Sequence, residues 1–106
     1  MTPITTIVLF ELPPENLNEF IAFWHGIQDF VSKQPGMIDG VGHRAADAHG
    51  PFQFANVVRW DSAESLDAAL QAVGKEFHEK GTDISQAFER LGVTQTQSNY
   101  TEELRY

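Results

Sequence analysis

The apolar residues of this chain switch between strand-like and helix-like spacing, and the order of those stretches limits the folds it can adopt. Ile4 to Leu12 is rich in β-branched and aromatic residues, as strands prefer. Leu17 to Val31 places apolar residues at the i, i+3, i+4, i+7 spacing of a core-facing helix. Pro13-Pro14 ends the strand, and the Gln-Pro-Gly sequence at 34–36 ends the helix.

Two further strands follow this helix. Met37 to Asp47 predicts a second strand. Gly40 and Gly42 fall on the same face of it, so this thin face lacks side chains there and leaves room for a ligand or another backbone. Residues 48–51 predict a turn. The sequence PFQFANVVRW then predicts a third strand that ends at Trp60.

Helical spacing returns after the third strand. The second helix has Asp61 or Ser62 as its predicted N-cap, with Glu64 three residues after Asp61 in the position of a capping box. A short third helix begins at Asp83, and the Thr-rich residues 93–106 include a predicted last strand.

This order predicts a ferredoxin-like α+β fold, in which helices cover one face of a four-stranded antiparallel sheet. We expect the uncovered face to carry Phe, Val and Trp, which would expose a larger apolar patch than monomers normally tolerate. Two such sheets packed face to face cover each other, so we predict a homodimer. A chain of 106 residues has the usual length of one compact domain, so we predict a single domain over 1–106.

Composition excludes several classes of function. The net charge of −8 argues against binding to nucleic acid and to anionic membrane surfaces. The chain has no cysteine, which excludes disulfides, thiol catalysis and cysteine-bound metal. The sequence shows neither an apolar run of about 20 residues nor a basic N-terminal leader, so we expect a cytoplasmic protein.

The third strand carries an asparagine in apolar surroundings. By alternation, Phe52, Phe54, Asn56, Val58 and Trp60 share one face. An unpaired buried amide costs about 1–3 kcal/mol, so Asn56 either bonds to a neighbouring strand, turn or water, or donates to a substrate oxygen. Trp60 is either a core or interface residue or a contact for an aromatic substrate.

The charged and titratable residues give weaker signals. The four histidines lack the spacing of a metal site, so no metal is predicted. His43 and His78 are the better candidates for a general base, because neutral imidazole can deprotonate a phenol near pH 7. Arg44 and Lys80 could orient an anionic substrate, whereas Arg59 faces away from Asn56 and predicts a surface ion pair.

Three motifs together resemble the antibiotic biosynthesis monooxygenase family. They are PGM at the start of strand two, N-x-x-x-W at the end of strand three, and the DSAESLDAAL that follows. The resemblance extends from Ile4 to about Tyr100. It implies a dimeric α+β barrel, often with exchanged C-terminal segments, and oxidation of phenols, quinols or anthrones by dioxygen without metal, flavin or haem.

The family resemblance also implies roles for individual residues. Anthrone-oxidising members line their pocket with an asparagine and a tryptophan, matched here by Asn56 and Trp60. A tyrosine of that pocket is replaced by Leu66, and an arginine falls at Lys80. Haem-degrading enzymes of the same fold use a helix-two tryptophan, which is Ala69 here, so haem degradation is disfavoured.

The function that we predict is a cofactor-independent monooxygenase acting on a small aromatic substrate and dioxygen. The predicted catalytic residues are Asn56, Trp60, His78 and His43, and the predicted substrate contacts are Phe54, Lys80, Arg44 and Trp24. The alternative is a non-enzymatic dimer of the same fold that binds a small hydrophobic ligand. Isomerase or dehalogenase-like chemistry is a third option.

Overall fold

The computed structural model describes residues 2–47 and 49–106. They form one antiparallel sheet with helices on one face. In chain order the elements are β1 (Ile4–Glu11), a 3₁₀ turn (Pro14–Asn16), α1 (Leu17–Val31), β2 (Met37–Arg44), β3 (Phe52–Trp60), α2 (Ala63–Glu79), α3 (Ile84–Leu91) and β4 (Thr94–Tyr100). The strand order is β2-β3-β1-β4. This is the predicted ferredoxin-like α+β arrangement. The predicted turn at 48–51 includes Ala48, which lies outside the described residues.

Side-chain caps fix where α2 and α3 begin. Ser62 is the N-cap of α2, and its hydroxyl accepts a hydrogen bond from the backbone N–H of Ser65 at 3.2 Å. The predicted capping box between Asp61 and Glu64 is therefore wrong, because the helix begins one residue later and its third position is Ser65. Asp83 caps α3 as predicted. None of the described helices is long and apolar enough to cross a membrane.

The core lies between the helices and one face of the sheet. Phe10, at the centre of that face, is fully buried and contacts the rings of Phe20, Trp24, Phe54 and Phe88. A second cluster surrounds the ends of β1 and β3, where α1 and α2 cover the sheet. Its buried members are Ile27, Val31, Val58, Trp60, Leu66 and Ala69.

The expectation that Phe, Val and Trp fill the uncovered sheet face is wrong. Phe54, Val58 and Trp60 are at most 8% exposed and pack beneath the helices. The open face carries smaller aliphatic side chains, namely Ile7, Leu9, Val41, Ala55 and Val57. Alternation assigns residues to shared faces but does not say which face the helices take. The larger side chains lie under the helices because burying them removes more apolar surface from water.

The start of β3 departs from simple alternation. The pairing of β1 with β3 shifts register between Phe10 and Glu11. As a result Phe52 is 39% exposed, whereas its neighbour Gln53 is buried and donates to the carbonyl oxygen of Gly50 at 3.1 Å. The predicted shared face therefore begins at Phe54, past this irregularity.

Candidate functional site

Two adjoining cavities lie between α1 and the helix-covered face of the sheet. The outer cavity has a volume of about 330 Å³ and lies between α1 and strands β2 and β3. The inner cavity, of about 170 Å³, extends beneath α1 toward α2 and α3. Trp24, Gln28 and Asn56 line both, so we call them the outer and inner compartments of one site.

The thin face of β2 makes room for the outer compartment. Gly42 lies opposite Asn56 in the sheet, and Gly40 lies opposite Val58. A Cβ atom added at Gly42 would come within 2.6 Å of the ring of Phe54, so this ring rests on the glycine backbone. Larger residues on this face would push side chains into the space that the outer compartment occupies.

Asn56 stands at the junction of the two compartments with an unpaired amide. It lies on β3 between Val8 and Gly42, and it is 4% exposed. The side chains of Asn16 and Asn99 each have a hydrogen-bond partner, whereas that of Asn56 has none among the residues that the structure describes. Because Asn56 lines both compartments, its amide is available to a molecule bound in the site.

Aromatic side chains surround the junction. The indole N–H groups of Trp24 and Trp60 are buried and have no partner within the described part of the chain. Trp24 lies edge-on to Phe10 at a centroid distance of 4.7 Å and stacks on Phe20 at 5.9 Å. Phe54 closes the outer compartment from the sheet side. A pocket of this kind suits a flat apolar group that carries a few polar atoms.

The two histidines predicted as bases lie away from Asn56. His43 is paired with Ala55, and Gly42 is paired with Asn56, so the side chain of His43 extends from the opposite face of the sheet. His78 lies near the end of α2 and lines a separate surface depression. Neither histidine lines the outer or the inner compartment.

The cationic residues predicted as substrate contacts have other partners. Arg44 donates a hydrogen bond to the Oδ1 of Asn18 at 2.9 Å. Lys80 forms an ion pair with Glu76 at 2.8 Å. Both basic side chains are exposed and lie outside the lining of the two compartments. The structure thus brings together Asn56, Trp60, Trp24 and Phe54, but not the predicted bases or cations.

Arg59 forms the predicted surface ion pair. Its Nε donates to the Oδ1 of Asp39 at 2.8 Å on the open face of the sheet. The hydrogen bonds from this guanidinium, and then its charge, hold the pKa of Asp39 below the ordinary value of an aspartate. This pair lies on the other side of the sheet from Asn56.

Sequence reasoning missed a row of polar residues along α1 and its C-cap. His25, Gln28, Asp29 and Ser32 line the outer compartment. Their i, i+3, i+4, i+7 spacing was visible in the sequence as a polar stripe beside the apolar one that contains Trp24. Within residues 2–47 and 49–106, no group of three or more His, Cys, Asp or Glu side chains could hold a metal ion.

Comparison with known proteins identifies the fold. No family model and no curated protein matches this sequence. A candidate monooxygenase from Shewanella loihica PV-4 is 25% identical, with a TM-score of 0.79 over 99% of this chain and 97% of its own. SnoaB, a cofactor-independent oxygenase from Streptomyces nogalater, is 19% identical, with a TM-score of 0.77 over the same shares. The chain has the antibiotic biosynthesis monooxygenase fold.

A third structure supports the same assignment. A candidate antibiotic biosynthesis monooxygenase from Deinococcus radiodurans is 16% identical, with a TM-score of 0.69 over 98% of this chain and 95% of its own. The resemblance seen in the N-x-x-x-W motif is thus confirmed at the level of the antibiotic biosynthesis monooxygenase fold. Because one fold hosts many activities, the chemistry has to be argued from the site itself.

Proposed function

We propose that this protein is a cofactor-independent monooxygenase that oxidises a small aromatic substrate of the quinol or anthrone type with dioxygen. The observation that carries the proposal is the unpaired amide of Asn56, buried at the junction of two compartments. The fold agrees with it, since SnoaB is described as a cofactor-independent oxygenase.

The geometry suggests how a substrate binds. The inner compartment is mostly apolar and includes Trp60 and Val58, so it accepts the ring system. Asn56 then donates a hydrogen bond to a ring oxygen. As the substrate ionises, negative charge develops on that oxygen, and a donor held in place by strand β3 stabilises the charge.

The substrate supplies the reducing power of the proposed reaction. A base removes a proton from a phenol or from an activated CH₂ group, and the resulting carbanion transfers one electron to dioxygen. Recombination of the two radicals forms a C–O bond and, after protonation, a hydroperoxide. Loss of the second C–H proton and cleavage of the O–O bond give the quinone-type carbonyl and one water. The protein binds, orients and stabilises charge.

Oxygen uptake tests the proposal. Metal-stripped protein is mixed with a panel of anthrones and hydroquinones, and oxygen consumption is followed with an electrode. We expect Asn56→Ala to lower kcat by about 10²- to 10³-fold, the usual effect of removing one oxyanion donor. Asn99→Ala is the matched control, because Asn99 bonds to Thr6 and lies outside both compartments. No uptake by the wild type, or equal rates for Asn56→Ala and wild type, would contradict the proposal.

One observation favours the second candidate, a ligand-binding protein without chemistry. No titratable side chain of the described residues lines the inner compartment. The same assays separate the two functions. Saturable quenching of tryptophan fluorescence by an anthraquinone, without oxygen uptake on any anthrone, would indicate binding alone.

We also propose that the protein is a homodimer whose subunits pack through the open sheet faces. Val41 is 53% exposed there, and Tyr100, at the end of β4, is 51% exposed. A second copy would cover these apolar side chains along with Ile7, Leu9 and Val57. Asn56 lies on the opposite face of the sheet, so the proposed dimer contact does not involve it.

A further inference from the structure

A proton that leaves a substrate in this site has few possible acceptors. The inner compartment has no titratable side chain in its lining, taken over the described residues. The outer compartment has two, His25 and Asp29, which lie one helical turn apart on α1. A proton released near Asn56 must therefore reach one of these two groups or solvent.

The two groups differ in basicity and in pairing. The carboxylate of Asp29 already forms an ion pair with Lys33 at 3.3 Å. Carboxylates ordinarily have pKa values near 4, whereas imidazole has a value of about 6.5, much closer to neutral pH. We propose that His25 is the proton acceptor of the monooxygenase reaction, an inference that rests on the proposed function.

The surroundings of His25 fit this role. Across the outer compartment, β2 and β3 present Met37, Gly40, Gly42, Phe54 and Asn56, none of which carries a charge. Gln28 on α1 and Ser32 directly after it are neutral, so Asp29 is the charged group that lines the compartment beside His25. Among the described residues, no lysine or arginine lines the compartment, so no fixed cation opposes the imidazolium that forms when the proton is transferred.

His25 can carry the proton through the whole cycle. In the first step the substrate O–H or C–H bond breaks, a N–H bond forms on the imidazole, and the electron pair stays on the substrate. After dioxygen has added, the imidazolium returns this proton to the peroxide oxygen. The neutral imidazole then takes the second C–H proton as the O–O bond breaks, and transfers it to the leaving hydroxide, which departs as water.

The pH dependence of oxygen uptake tests this role. We expect wild-type kcat to fall as the pH drops through the pKa of the imidazole. His25→Gln should lose about 10²- to 10⁴-fold in kcat, together with that acid limb, while KM changes little. Added imidazole should restore part of the activity of His25→Ala, because the outer compartment opens to solvent. His49→Gln, an exposed histidine in the β2–β3 connection, is the matched control.

Two outcomes of this assay would overturn the inference. One is a His25→Gln variant that retains wild-type kcat and the acid limb. The other is loss of the acid limb in His43→Gln or His78→Gln rather than in His25→Gln, which would return the role to the bases first predicted from the sequence.

A binding measurement decides the matter even if the wild type consumes no oxygen. Histidine ring signals are followed by NMR during pH titrations with and without naphthol. We expect bound naphthol to shift the ring signals of His25 and to leave those of His49 in place. Unchanged His25 signals, whether because naphthol binds elsewhere or does not bind, overturn the role of His25. A shifted His25 without oxygen uptake would overturn the monooxygenase proposal alone.

Discussion

The two faces of the sheet differ although they share the same strands. On β3, Asn56 and Val57 are neighbours in sequence, yet Asn56 points into a buried site and Val57 points to the open face. The covered face carries Phe10, Phe54 and Trp60, whereas the open face carries smaller aliphatic groups and an exposed ion pair. The difference shows that the core and the candidate site belong to one face, which leaves the other free for a partner subunit.

The candidate site is the part of this core that packing does not close. Phe10 and Phe20 fill the space near the start of α1, where they are fully buried. Toward β2 the glycines provide no side chains, and the space between α1 and the sheet stays open. Gly40 and Gly42 of β2 therefore mark the boundary between the packed core, which stabilises the fold, and the open space, which can bind a ligand.

A pair of substitutions on β3 gives the largest expected contrast. Val58→Asp places an unpaired charge in the core, where Val58 is 4% exposed, and should destabilise the fold by more than about 4 kcal/mol. Val57→Asp on the open face should leave the fold intact but produce a monomer at micromolar concentration. Chemical denaturation and light scattering measure the two effects. A wild-type protein that is already monomeric would refute our account of the open face.

A second pair compares the two faces of β1. Phe10→Ala removes a fully buried ring that contacts four aromatic neighbours, and should cost about 3–5 kcal/mol in the free energy of unfolding. Leu9→Ala, on the open face, should cost less than half as much in the monomeric Val57→Asp background. Urea denaturation measures both. Equal costs would mean that the open face is as well packed as the core.

Two glycine substitutions on β2 test the floor of the outer compartment. In Gly42→Ala the new methyl group meets the Phe54 ring at 2.6 Å, so the ring must move, at a cost of about 1–3 kcal/mol. In Gly40→Ala the nearest atom is the flexible end of Met37 at 3.1 Å, so the cost should be smaller. We expect anthraquinone affinity to fall more in Gly42→Ala. Equal affinities in the two variants would show that Phe54 does not border the ligand.

The smallest expected effect concerns the ion pair on the open face. Hydrogen bonds from Arg59 lower the pKa of Asp39 below its ordinary 3.8 in the folded protein. The pair therefore stabilises the fold above that pH, and the contribution disappears as the pH falls through the lowered folded-state pKa. The Tm difference between wild type and Asp39→Asn should be full at about pH 6 and shrink below about pH 4. A Tm difference that stays constant as the pH falls would show that the effect of Asp39 does not depend on its negative charge.

Much of the fold was predictable because the periodicities are local. Alternation along β3 placed Asn56 and Trp60 on one face, and Asp83 marked the start of α3. The choice of the covered face was not predictable, because β1 and β3 carry apolar residues on both sides. That choice depends on how the helices pack across the whole sheet, which cannot be inferred from the sequence of any one strand.

The site was predictable only in part, for a similar reason. Asn56 was recognisable because an amide among aromatic side chains requires an explanation. His25 was not, because a histidine on a helix surface looks the same whether it faces solvent or borders a cavity. Only the position of β2 opposite α1, with its two glycines, turns this surface into the wall of the outer compartment.

Ligand binding at Asn56 is tested most directly by an NMR titration with an anthraquinone that follows the side-chain amides of Asn56 and Asn99. We expect the Asn56 signals to shift and to saturate with the ligand, while those of Asn99 stay in place. Unchanged Asn56 signals, with shifts at His43 and Val57 instead, would contradict this expectation and move the binding site to the open face of the sheet.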